Sequence, residues 1–301
     1  MSRTLRHHDH QGPRMKPHDF DSYKDRYDSI TLERDDRGVL TMTIHEPGQP
    51  DRALDYGGRP IDWNSPHQEW SYCFGDIARD LDNEVVIVTS AGESFIGHHR
   101  MIGVVGHEGT FVPDDETGAD LVGKVPPVSI HAWDRVMHNG INLQMNILGI
   151  DCPVIGAVNG PALTHADLVV QSDIVICTED TVFADQAHFE AGMFAPGDSV
   201  STIWPHLIGQ NRGRYFLLTG QRIGAAEALE LGVVSEVVAR ENLLTRAHEL
   251  ADMLLERPRL VRRYARQMMV QELKHRMLNH IGYGMALEGL TVMGRKLDGD
   301  G

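Results

Sequence analysis

Three short runs constrain the fold most: Val85-Val86-Ile87-Val88-Thr89, Pro153-Val154-Ile155-Gly156-Ala157-Val158 and Asp173-Ile174-Val175-Ile176-Cys177. They are almost wholly apolar, and too short to be helices in a core. A strand with water on one face alternates apolar and polar residues. A continuous run is the mark of a strand buried on both faces, as in parallel sheets. Parallel strands need crossover connections, and the intervening segments supply them. His67 to Leu81 and His131 to Leu148 have helical spacing, and Thr164 to Val170 starts another helix. This alternation predicts an α/β body. Ile30 to Ile44 reads as a β-hairpin around Asp36-Arg37-Gly38. Beyond Arg212 the chain turns helical, over Arg214–Leu218, Ala225–Leu231, Glu241–Glu256 and Arg259–Met293. The expected division is a tail (1–28), a core (29–211) and a C-terminal helical region (212–301). The polar loop from Glu46 to Pro66 and the Gly- and acid-rich stretch from Gly106 to Lys124 read as surface excursions.

With 28 basic and 43 acidic residues the net charge is −15, which argues against nucleic acid or an anionic membrane as a partner. It also makes a multiply anionic ligand such as coenzyme A less comfortable. No apolar run reaches membrane-spanning length. The tail holds His7, His8 and His10 but no signal-peptide core. Cys73, Cys152 and Cys177 lack metal-ligand spacing and read as reduced, buried thiols. Together these features lead to the expectation of a cytoplasmic protein. There is no Walker A pattern and no Gly-x-Gly-x-x-Gly, which argues against a nicotinamide enzyme, and no His-Glu-x-x-His or close Cys/His cluster outside the tail, so no metal is expected.

The stretch from Val182 to Asp198 reads as a short strand followed by a Gly/Pro-punctuated loop. It carries His188 and Asp198, an imidazole and a carboxylate of the kind that activates a nucleophile near neutral pH. The bland alternative is that His188 ends a strand and Asp198 caps the helix beginning near Ser199.

The order of motifs resembles the crotonase (enoyl-CoA hydratase/isomerase) superfamily over residues 30 to 295. Asn159-Gly160-Pro161-Ala162-Leu163 resembles its Asn-Gly-x-Ala oxyanion-hole segment, and Ser172-Asp173-Ile174 the Cys/Ser-Asp-Ile that follows. Pro196-Gly197-Asp198 resembles its Pro-Gly-x-Gly. Leu218 to Ile223 and Ala225 to Val234 resemble its Thr-Gly…Ala-x-x-Ala…Gly-Leu-Val signature. The resemblance implies a crotonase-like spiral of ββα units with a C-terminal helical lobe, and a homotrimer or homohexamer. Two departures matter. Where hydratases carry Gly-Gly-Gly and a catalytic glutamate, this chain reads Leu163-Thr164-His165-Ala166-Asp167, and their second glutamate falls at His188. Asp167 and Glu190 lie off that register and read as a helix-surface charge and a loop residue.

The departures resemble the 6-oxocamphor hydrolase branch, the β-diketone hydrolases, as do Trp204-Pro205-His206 and Ser71-Tyr72-Cys73-Phe74. That resemblance implies retro-Claisen cleavage of a C–C bond in a cyclic or bicyclic diketone, without a cofactor, to give a keto acid. His188 would be the general base and Asp198 would accept from its other ring nitrogen. His165 would donate to the carbonyl that becomes an enolate, or else be a helix-start histidine satisfied by backbone. Trp63 and His67 would bind a substrate carbonyl, or be a core tryptophan and a surface histidine. Glu288 would orient a histidine or relay the enolate's proton, or be an exposed helix carboxylate. His98 and His99 receive no role. The competing readings are a coenzyme A-dependent hydratase, isomerase or thioesterase, and a non-catalytic protein that acts through assembly.

Overall fold

The structure is a computed structural model that describes residues 18–54, 66–97, 104–105, 111–112, 130–190 and 194–294. Strands β1 (Ile30–Arg34) and β2 (Val39–Ile44) form the expected antiparallel hairpin, in register from Ile30↔Ile44 to Arg34↔Leu40. Helix α1 (Pro66–Arg79) leads to β3 (Val85–Ser90). A small separate ladder follows, β4 (Val104–Val105) with β5 (Phe111–Val112). Then come α2 (Ile130–Gly149), β6 (Val154–Val158), α3 (Asp167–Val170), β7 (Ile174–Thr178) and β8 (Val182–Phe183). The C-terminal part contains α4 (Val200–Ile208), α5 (Gln210–Thr219), β9 (Ile223–Gly224), α6 (Ala225–Glu230), β10 (Glu236–Val238), α7 (Leu243–Leu255), α8 (Arg259–Met269) and α9 (Gln271–Gly294).

The main sheet runs β1-β2-β3-β6-β7-β10. Every pairing after the first hairpin is parallel. All three apolar runs are therefore interior parallel strands. Side chains alternate across the sheet. Val39, Val85, Ile87, Ile155, Ala157 and Ile176 pack on one face under Leu243, Ala247, Leu250 and Ala251 of α7. Leu40, Met42, Val86, Val88, Val154 and Cys177 fill the other face, against Trp70, Phe74 and Ile77 of α1 and Leu143 and Ile147 of α2. Each such side chain contributes about 1.5–3 kcal/mol by leaving water. The sixth strand comes from beyond residue 211, so the sheet is completed by the part of the chain that also carries the helices.

The expected single helix over Arg259–Met293 is two, broken at Val270. The break lets α8 face the ends of the strands. Arg263 donates to the carbonyls of Leu81 (2.7 Å) and Asn83 (2.5 Å) and pairs with Asp151. Arg266, 1% exposed, pairs with Asp173 at 2.7 Å and donates to the carbonyls of Ile147 and Ile150. After the break, α9 crosses α2, where Trp133 Nε1 donates to the Met285 carbonyl at 3.0 Å. No helix among the described residues is long and apolar enough to cross a membrane.

Candidate active site

The ends of β6 and β8 and the middle of α9 converge on one buried polar cluster. The chain leaves β8 into a single π-helical turn, Gln186–Glu190, and such turns collect at functional sites. His188 lies inside that turn with non-helical backbone angles, φ −105° and ψ −105°. The kink turns its ring inward, leaving it 5% exposed. Nδ1 lies 2.7 Å from Asp185 Oδ1. Nε2 faces two carboxylates, Asp198 Oδ2 at 3.6 Å and Glu288 Oε1 at 3.7 Å. Direct hydrogen bonds are shorter than this, and a shared small polar group fits these separations.

The expected bracing of His188 is therefore corrected in one respect. The carboxylate on the second ring nitrogen is Asp185, while Asp198 sits on the same nitrogen as Glu288. Asp198 also serves as a cap: its Oδ1 accepts from the backbone N–H of Ser199 (2.5 Å) and Val200 (3.1 Å) at the start of α4. The two readings of Asp198 are compatible because each uses a different oxygen. Sequence reasoning passed over Asp185. Its signal was the spacing of three residues to His188, which puts both side chains on one side of a helical turn.

Electrostatics follow from packing four carboxylates around imidazoles. Burial disfavours charge on His188, but Asp185, Asp198 and Glu288 outweigh it and hold the imidazole well above its usual range. Burial pushes the carboxyl of Asp198 up, with His188 opposing and Asp167 adding to the rise. Burial likewise pushes Glu288 up to about 8, which makes it a neutral acid at pH 7. Glu288 is thus a buried group, 6% exposed, and its Oε2 finds no hydrogen-bond partner among the described residues.

On the other side of Asp198 stands His165, at the exit from β6. Its φ of 52° is the left-handed region, which costs a residue with a Cβ roughly 1–2 kcal/mol. Such an outlier points to function where surrounding contacts enforce it. Here the backbone is pinned: the Leu163 N–H donates to Ile96 O (3.1 Å), the Gln186 N–H to Leu163 O (3.0 Å) and the Leu168 N–H to His165 O (3.1 Å). The helix expected from Thr164 consequently begins only at Asp167.

Asp167 corrects another expectation, because it is not a surface charge. It is 0% exposed and accepts from Gln144 Nε2 (2.6 Å) and Ser199 Oγ (2.8 Å) through Oδ2. Its Oδ1 lies 3.6 Å from His165 Nδ1. Burial alone raises its carboxyl, but His165, Ser199 and Gln144 more than offset this and hold it below the usual range. His67 and Trp70 complete the wall, with ring centroids 5.3 Å and 5.4 Å from that of His165. His67 is half-buried rather than at the surface: the desolvation of its ring, reinforced by His165, drives it down to about 3, so it is neutral. Trp63, His98, His99, the tail histidines and the side chain of Glu190 lie outside the described residues. Of the 106–124 excursion only Phe111 and Val112 are within them.

This fold and its motifs define a class. The family model for enoyl-CoA hydratase/isomerase matches residues 117–285, and the chain belongs to that family, within the crotonase superfamily. Among solved structures, the chain is similar to a β-diketone hydrolase from the cyanobacterium Anabaena sp. PCC 7120 bound to (S)-3-oxocyclohexyl acetic acid. That likeness has a TM-score of 0.75 and 32% identity, over 94% of this chain and 100% of that one. An enoyl-CoA hydratase/isomerase from Mycobacterium paratuberculosis has the same fold, with a TM-score of 0.69 at 21% identity over 89% of this chain and 95% of that one. Among curated sequences, the carnitinyl-CoA dehydratase of Shigella flexneri is 31% identical over 62% of this chain and 63% of its own length. The enoyl-CoA hydratase/isomerase YngF of Bacillus subtilis is 34% identical over 44% of this chain and 51% of its own, so the match spans about half of that relative.

Proposed function

We propose that this chain is a cofactor-independent hydrolase that cleaves a C–C bond of a cyclic or bicyclic β-diketone and releases a keto acid. The observation that carries this reading is the buried imidazole of His188, with carboxylates on both ring nitrogens, where hydratases of the family use a glutamate. The likeness to a β-diketone hydrolase over nearly the whole chain supports it. A water between Nε2, Asp198 and Glu288 gives up a proton to His188 as its oxygen attacks one carbonyl. Asp185 fixes the tautomer by accepting from Nδ1. The C–C bond breaks, and the second carbonyl takes the charge as an enolate, to which His165 donates a hydrogen bond. A lost oxyanion donor typically costs about 2.7–4 kcal/mol of barrier. Glu288, neutral at pH 7, supplies the proton that the enolate carbon receives.

The test is direct. Mixing the protein with a cyclic β-diketone should abolish the diketone's ultraviolet absorbance and form one carboxylate per turnover. His188→Ala should lower that rate by about 10²–10⁴-fold, the usual contribution of a positioned base, with circular dichroism unchanged. Near-full activity in the variant would falsify the assignment.

The coenzyme A-dependent relatives favour a second reading, in which the pocket takes an acyl thioester. Calorimetry with an acyl-CoA separates the two, since micromolar binding supports that reading and absence of heat removes it.

We also infer a homotrimer or homohexamer. Leu260, Val261, Tyr264, Met268, Met269, Leu278, Tyr283 and Leu290 of α8 and α9 are all more than half exposed, a large apolar surface for a lone chain. Light scattering that reports a monomer would refute this.

A further inference from the structure

His165, Asp167 and Asp198 each offer one donor atom to the same small space, and these atoms lie within 4.8 Å of one another. They come from three places: the left-handed residue after β6, the first residue of α3 and the loop before α4. A metal bound at about 2.0–2.2 Å to each would hold its ligands up to roughly 4.4 Å apart. Small side-chain rotations close the remaining gap.

Proximity of acids is common and proves little. Asp167 adds an independent observation. Its Oδ2 is fully engaged by Gln144 and Ser199, whereas its Oδ1 is buried with no partner at hydrogen-bond distance and has His165 Nδ1 beside it at 3.6 Å. A buried oxygen left this way costs about 1–3 kcal/mol, and more when charged. The local charge balance points in the same direction. Among the described residues, the ion pairs of Asp167, Asp185 and Asp198 are all to histidines, with no lysine or arginine. Gln144 is itself held, since its Oε1 accepts from Gln171 Nε2 at 2.6 Å, so the carboxylate cannot easily rotate away.

We propose that His165, Asp167 and Asp198 form a binding site for a divalent transition metal, and that its occupancy switches the hydrolytic centre off. One imidazole nitrogen and two carboxylate oxygens suit zinc, manganese or cobalt rather than magnesium or calcium, which take oxygen alone. Three protein ligands leave at least one position for water. The metal competes with catalysis because it takes two groups the reaction uses. His165 no longer donates to the developing enolate, and Asp198 is withdrawn from the nucleophile's position. The inhibitory half rests on the hydrolase reading above, while the binding half stands on geometry alone.

The experiment uses the full chain with His7, His8 and His10 replaced by alanine, which removes competing donors in the tail. Metal-stripped protein is titrated with zinc chloride against a chromophoric chelator, and cobalt chloride is added in parallel for its absorption bands. One equivalent is expected per chain, with a zinc-dependent rise in melting temperature. Asp167→Asn and His165→Gln should each weaken binding by more than about tenfold, the range in which even outer-shell changes act. Two variants are used so that misfolding of one does not decide the matter. Absence of binding, or unchanged affinity in both folded variants, overturns the site. Diketone cleavage should fall with the half-saturation measured for binding. A rate unchanged or raised at saturating zinc overturns the switch but not the site. A metal-free chain inactive on diketones overturns the hydrolase reading together with the switch, and the titrations still decide the site.

Discussion

At the scale of single residues, His188 is both oriented and charged by the same neighbours, and the two effects oppose each other. Asp185 fixes the ring through a 2.7 Å contact on Nδ1. It also belongs, with Asp198 and Glu288, to the carboxylates that outweigh burial and favour the imidazolium. A protonated imidazole accepts no proton from water. The proposed reaction therefore speeds up as pH rises and the neutral ring becomes populated, until Glu288, raised to about 8, has lost the proton that the enolate must receive. Asp185→Asn removes one favouring charge, lowers the imidazole pKa and moves the rising limb of kcat/KM toward acid. It also releases the tautomer, so the plateau should fall by about 10²-fold or more. A pH–rate profile of the variant reads both effects, and a limb left in place would show that Asp185 only packs. His188, Asp198 and Glu288 were legible as residue types in a familiar order. Asp185 and Asp167 were not, because their significance lies in which oxygen faces which nitrogen. Asp167 sits two residues from His165, a spacing that says nothing until His165 adopts φ 52°.

At the scale of elements, the site depends on how closely α9 approaches the loop before α4. Gly197 and Gly284 meet backbone to backbone: a Cβ on either would overlap the carbonyl oxygen of the other. Glu288 lies one turn beyond Gly284 and gains its place beside His188 from that approach. A second contact has the same character, because a Cβ on Gly289 would enter the Trp133 indole. Gly284→Ala should force α9 outward, with a cost of about 1–3 kcal/mol from overpacking. Diketone cleavage should fall with it as Glu288 withdraws, although helix propensity by itself favours alanine. Thermal melting and activity together check this; a more stable and fully active variant would show that the loop yields instead. Nothing in the sequence singles out Gly284 or Gly289, and their purpose appears only once the partner backbone and the Trp133 indole are present. By contrast, the interior strands were legible because burial on both faces leaves its mark on every residue. β10 escaped notice, since its three residues are only half-buried and its place at the sheet edge is set by β7.

At the scale of the whole molecule, stability and the proposed chemistry share one set of buried titratable groups, which pull against each other with pH. Glu288 is raised to about 8, so its contribution to stability is full below its unfolded value and is lost as pH rises through about 8. His67 does the opposite. Its folded form is neutral and drops to about 3, so stability is complete above pH 6.5 and is lost as pH falls from there toward 3. At about 1.4 kcal/mol per unit, that loss reaches on the order of 5 kcal/mol once the ring is protonated. Such a sum is a large part of a typical domain's stability of about 5–15 kcal/mol. His67 lies on α1, wedged between that helix, α2 and His165, so charging it strains the contact that seats α1 on the sheet. His67→Gln keeps a polar group of similar reach but cannot take up a proton. Melting temperature followed from pH 7 to pH 4 should fall less steeply in this variant than in the parent. Glu288 and Asp198 titrate in both proteins, so the difference between the curves isolates the imidazole. Parallel curves would mean that α1 loosens before the ring charges, and that acid attacks this fold elsewhere.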